Sequence, residues 1–122
     1  MRLRIAMAFF TALALLSTQA PAQAADCMRA NEAGAIAEGR LFERDDAIIL
    51  KLPQAMCLEG PEDTDSVAAS AEIHVYSLDD TIHETLRGLI GKDAHLRGTF
   101  MGAMTQHHKA PVVMQVTEAD EI

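Results

Sequence analysis

The chain has 122 residues, with 10 Lys and Arg against 18 Asp and Glu, a formal net charge of −8 at pH 7. A surface this acidic repels phosphate backbones and anionic lipid, which excludes nucleic acid and a membrane face as expected partners. The length suits one small domain and leaves no room for two hydrophobic cores.

In chain order, Arg2 and Arg4 precede an apolar run over residues 5–16, broken only by Thr11. A bilayer needs about 20 apolar residues, so this run is too short to span one. Ala22 and Ala24 supply the small-x-small pattern that signal peptidase reads, so residues 1–24 are expected to be a signal peptide cleaved after Ala24. A retained anchor is the alternative, and Asp26 directly before Cys27 does not fit a lipobox. The protein is expected to be periplasmic or secreted, with no membrane contact after cleavage. Residues 25–122 then form a single domain with 8 Lys and Arg against 18 Asp and Glu, a net charge of −10. That balance permits a cationic partner, metal or peptide without requiring one.

Two cysteines, Cys27 and Cys57, enter the oxidising space. An even count in a small exported domain points to one disulfide, tying the N-terminus to the middle of the chain. Closing a loop of this length removes roughly 3–4 kcal/mol worth of freedom from the unfolded chain. A redox or metal pair would call for the close C-x-x-C spacing, which is missing.

Residues 33–42, "AGAIAEGRLF", read as a first strand rich in small residues, and "ERDD" as a polar turn. "AIILKLP" is a β-branched second strand stopped by Pro53. Residues 54–70, with Gly60, Pro61 and several acids, read as a long solvated loop. "AEIHVYSL" alternates, with Ile73 and Val75 on one face and Glu72, His74 and Tyr76 on the other. The period then changes: Ile82, Leu86, Leu89 and Ile90 fall at helical intervals, with Thr81 and Glu84 as a capping box and Gly91 as a left-handed C-terminal cap. Ala94, Leu96, Gly98 and Phe100 alternate with polar residues in a fourth strand, "PVVMQV" gives a fifth, and "TEADEI" reads as an acidic tail. Phe42 and Phe100 suit core positions. Gly39 and Gly98 sit where bulges would let a short sheet turn its corners.

Three strands, a helix and two strands is the order of a small five-stranded OB barrel whose helix lies between strands 3 and 4. A small α+β sandwich has the same string. The expected fold is therefore mainly β, OB-like, after an N-terminal signal helix.

The C-terminal stretch "LIGKDAHLRGTFMGAMTQHHKAPVVMQV" resembles the closing segment of a family of small exported bacterial proteins, the domain of unknown function forty-four thirty-one. The resemblance rests on Gly91-Lys92, Gly98-Thr99-Phe100, Thr105-Gln106-His107-His108 and Pro111-Val112, with "GRLFE" fitting the family's first strand. It implies an exported OB-like domain and brings no established activity. Lys109 stands where the family often has a third histidine, and Ala103 where it usually has another, so no metal set carries over.

The histidines remain. A metal site needs three or four converging ligands. Neighbours on a regular strand point to opposite faces, so His107 and His108 could ligate together only from a loop. His95 shares its outward face with Arg97, whose charge opposes a cation. A metal-binding protein using His107 and His108 is the alternative reading. Thr105, a histidine and Asp93 could be drawn as a catalytic set, but no nucleophile elbow or oxyanion-hole turn accompanies them. The acids around Asp63 and Asp65 lack the regular calcium-loop pattern. Met101, Met104 and Met114 fit core filling better than copper ligation. With no Trp and one Tyr, the stacking platform of an oligonucleotide-binding barrel is missing too. The expected function is a non-enzymatic binding or accessory module without a cofactor. Its partner would be an envelope protein, a glycan or a small ligand, met by an outward face of Glu72, His74, Tyr76, His95 and Arg97 with the loop of His107, His108 and Lys109.

Overall fold

A computed structural model describes residues 26–105 and 107–122. The expected signal peptide and its cleavage point lie outside those residues. Six strands and one helix follow in order: β1 (Met28–Arg29), β2 (Ala35–Arg44), β3 (Ala47–Glu59), β4 (Val67–Tyr76), α1 (Asp80–Gly88), β5 (Asp93–Gly102) and β6 (Val112–Glu121). The chain is mainly β, with one strand more than expected. The addition is β1, a short segment pairing parallel with Leu58 and Glu59 of β3.

β2 and β3 form a hairpin around Asp45 and Asp46, which have φ of 48° and 65°. Two positive φ values in a two-residue loop match the right-handed twist of the flanking strands, and Asp tolerates that region better than most side chains. β4 pairs antiparallel with β3 and parallel with β6, β6 pairs antiparallel with β5, and β5 pairs antiparallel with β2. The pairings of the five long strands thus form a closed cycle, β3–β2–β5–β6–β4 and back to β3. Gly39 lies where β2 passes from one partner to the other, and a Cβ there would collide with the carbonyl oxygen of Lys51. At Arg97 and Gly98 the β5–β6 register shifts by a bulge.

Inside the cycle the apolar alternation of each strand meets in one core. Leu41, Leu50, Leu58, Ile73, Val75, Leu96, Phe100, Val112 and Met114 are all but inaccessible. The helix adds Leu86 and Leu89 to this cluster, with Ile82 packed against it. Burying each such side chain contributes about 1.5–3 kcal/mol.

The structure corrects several element boundaries. β3 continues through Pro53 to Glu59 and β4 begins at Val67, so the expected long loop shrinks to a short connection holding a 3-10 turn, Asp63–Asp65. Proline has no ladder donor, and the β3–β4 register shifts between Lys51 and Met56, the span that holds Pro53. The Cys27–Cys57 disulfide holds the far end of β3 next to β1. Asp65, expected to be solvated, is 6% exposed. Its carboxylate accepts from the Asn31 side chain at 3.2 Å and from the Gly102 N–H at 3.5 Å. The acidic tail is the second half of β6, and its acids are exposed. The helix cap is Asp79, whose side chain accepts from the Ile82 N–H at 3.0 Å, in place of Thr81 and Glu84. Gly91 does take the left-handed conformation, with φ of 88°. Phe42 is half-buried and outside the core cluster, under the Arg44 guanidinium at 5.2 Å.

Candidate functional site

One outward row crosses the sheet through five strands. Cross-strand pairing sets Phe42 beside Ile49, Ile49 beside His74, His74 beside Val113 and Val113 beside Met101. Ile49 and Val113 flank His74 on that face and are completely buried, yet neither belongs to the inner cluster. They are the dry neighbours of His74 on the face where the loop of residues 103–111 docks.

That loop closes with the Ala103 N–H donating to the Pro111 carbonyl at 3.0 Å. It docks on β4 through the Lys109 N–H, which donates to Nδ1 of His74 at 3.1 Å. A second imidazole holds the loop from within: the Met104 N–H donates to Nδ1 of His108 at 3.0 Å. The His74 and His108 rings meet edge to face, with centroids 5.7 Å apart. The two neighbouring histidines therefore part company. His108 turns in toward His74, while His107 stays exposed, its N–H donating to Thr105 Oγ1 at 3.3 Å.

A ring that accepts at Nδ1 is neutral and carries its proton on Nε2. Nδ1 of His74 and Nδ1 of His108 each receive an N–H in this way. Burial pushes the His74 pKa below the ordinary histidine value, and repulsion from His108 when that ring is charged, and from Lys109, pushes the same way. A histidine that ligates a metal through Nε2 instead carries its proton on Nδ1 and donates it. Here each Nδ1 faces an N–H, so metal ligation at Nε2 would break the bonds that dock the loop. Among the described residues no group of three or more His, Cys, Asp or Glu converges on one point.

The structure divides the expected face in two. Tyr76 stays at the His74 corner, its hydroxyl 4.0 Å from the Met101 sulfur. Glu72 lies two residues along β4 and takes both Arg44 guanidinium nitrogens, at 2.6 and 2.9 Å. That hydrogen bonding holds its carboxyl below the usual range. His95 and Arg97 sit toward the other end of β5, where His95 Nδ1 is 2.7 Å from a Glu38 oxygen and Arg97 is 3.5 Å from Glu118. They pair across strands and do not reach the loop. A residue the sequence did not single out comes close instead. His83 of α1 accepts from Arg87 at 3.2 Å and lines a polar cavity of about 120 Å³ with His74, Tyr76, Glu43 and Asp46. The only sequence signal was its spacing four residues before Arg87 on one helix face.

The stretch that supplies His74, α1 and the docking loop also carries the family likeness. Residues 72–120 match the model described as Domain of unknown function (DUF4431). The match runs from Glu72 in β4 almost to the end of β6, so it includes both imidazoles of the corner and the C-terminal motifs of the resemblance, while "GRLFE" lies outside it. The β2–β3 hairpin and the disulfide lie outside the DUF4431 segment. No curated protein and no solved structure matches the chain.

Proposed function

We propose that the protein is an exported, non-enzymatic OB-like module that binds an envelope protein, a glycan or a small ligand, or serves as an accessory domain. The observation that carries the reading is the Lys109 N–H on His74 Nδ1, which fastens a loop of exposed side chains to the DUF4431 strand β4. A loop fixed to a sheet in this way presents His107 and Lys109 at little ordering cost, as a binding surface requires. The OB-like reading is supported by the closed cycle of pairings and by the helix between the third and fourth long strands. Export is supported by the arginine-led apolar run with Ala22 and Ala24 behind it, and by a disulfide, which fits an oxidising compartment.

The test has two arms. Intact mass spectrometry of the periplasmic fraction is expected to find residues 25–122 with two hydrogens lost to the disulfide; a chain retaining residues 1–24 refutes export by cleavage. A photo-crosslinking amino acid in place of His107 is expected to trap one envelope component in living cells. The same group in place of Thr117, on the distant half of β6, is expected to trap nothing. Capture that does not depend on position argues against a binding corner.

A further inference from the structure

β2 changes partner part-way along, pairing with β3 from Arg40 to Arg44 and with β5 from Ala35 to Arg40. The Leu41 N–H donates to the Lys92 carbonyl, and the Leu41 carbonyl accepts from the Gly91 N–H. Leu41 thus spends its main-chain groups on the β5 side, and strand alternation places those of Ala37 and Gly39 there as well. Ile36 and Glu38 must then turn theirs the other way, toward β3. β3 does not pair with them. Past Lys51 it diverges through Leu52 and Pro53, and no β3 residue beyond Lys51 pairs with β2. From Leu52 to Ala55, β3 has no partner on β4 either.

The split is apolar. Two adjoining depressions, of about 260 and about 400 Å³, share Glu38, Leu52 and Pro53. Met28, Ile36, Met56 and Phe100 line the smaller one, and Ile36 is 44% exposed. Among the described residues this strand edge is open, and beside an apolar trough it offers main-chain donors and acceptors in register with a side-chain recess. An extended peptide matches both at once. A glycan or a small apolar molecule would leave the main-chain edge unanswered. We infer that the split between β2 and β3 receives an extended, non-acidic segment of a partner protein. That segment adds as a strand along Ile36 and Glu38 and seats an aliphatic, Met or Phe side chain among Met28, Leu52 and Met56. The net charge of −8 disfavours an acidic segment. This site is independent of the His74 corner.

The probe is a pool of acetylated, amidated hexapeptides with Val, Leu, Ile, Phe or Met at alternate positions and Thr between them. A second pool carries N-methyl groups on alternate amides. Each is titrated into disulfide-bonded protein produced from the full-length coding sequence and followed by amide NMR. Saturable shifts are expected at Ile36 and Glu38, with the N-methylated pool at least about tenfold weaker. Ile36→Pro removes an N–H that faces the split and spares the β5 ladder, so it is expected to abolish binding. Leu52→Glu leaves every main-chain group in place and is expected to weaken binding about tenfold, which keeps the test decisive if the proline variant fails to fold. The inference is overturned by no saturable shift at millimolar peptide, by equal affinity for both pools, or by shifts confined to the His74 corner. Sedimentation of the free protein as a dimer that Ile36→Pro dissociates would give the edge to a second copy and overturn it as well.

Discussion

His74 is the residue on which the corner turns, and its environment sets a direction with pH. Burial beside His108 and Lys109 lowers its pKa in the folded chain, so the unfolded chain binds its proton more readily. Stability from this group is therefore complete above the unfolded histidine value of about 6.5. It is lost as pH falls through that value toward the lower, folded one. Protonation also removes the lone pair that receives the Lys109 N–H. Hydrogen exchange at the Lys109 amide is expected to lose protection as pH falls below about 6.5, relative to amides of the β5–β6 ladder, after correction for intrinsic rates. His74→Gln, which keeps a neutral acceptor, is expected to flatten that response. An unchanged pH profile in the variant would remove His74 as its cause. The sequence placed His74 and Tyr76 on one face through strict alternation in "AEIHVYSL", and that reading holds. It could not foresee that Ile49 and Val113 would be buried on the same face. Both lie in continuous apolar runs, "AIILKLP" and "PVVMQV", where no alternation separates an inner residue from a buried outer one.

At the scale of elements, local chemistry decided where the helix begins. Two residues competed to start it. Thr81 with Glu84 has the spacing of a capping box, but Asp79 takes the position, with its carboxylate on the Ile82 N–H and extended backbone at φ −90° and ψ 122°. An ionised cap also favours the positive end of the helix dipole. Asp79→Ala is expected to destabilise the protein by about 0.5–2 kcal/mol, and Thr81→Ala by less, as measured by urea unfolding. Equal costs would restore the capping box. The helix itself was legible because Ile82, Leu86, Leu89 and Ile90 repeat at its period. The strands around Pro53 and in "TEADEI" were not. Proline and clustered acids are local signals for loops, and here both are overruled by pairing. β3 runs on beside β1 and the disulfide, and in β6 Glu118 and Asp120 lie opposite Arg97 and His95 while Ala119 lies opposite the buried Leu96.

At the largest scale the described strands form a closed cycle with a loose place between β2 and β3, and the disulfide stands beside it. Cys27 and Cys57 join residues 30 apart in sequence, just outside β1 and near the end of β3. The bond sits where β3 has lost its β2 partner and pairs irregularly with β4, so few ladder contacts there resist fraying. Two effects follow from removing it. Cys27→Ser with Cys57→Ser frees the unfolded chain and is expected to cost roughly 3–4 kcal/mol, a large part of a small domain's 5–15 kcal/mol. The urea midpoint should fall, while the slope rises because the unfolded chain expands. The loss should also be uneven. Amides of β1 and of the segment around Asp65 are expected to exchange first. Those of β5 and β6, which pair along nearly their whole length, should stay protected up to global unfolding. Protection lost evenly across the sheet would mean that the bond acts only through the unfolded chain, and that the split between β2 and β3 holds its shape without it.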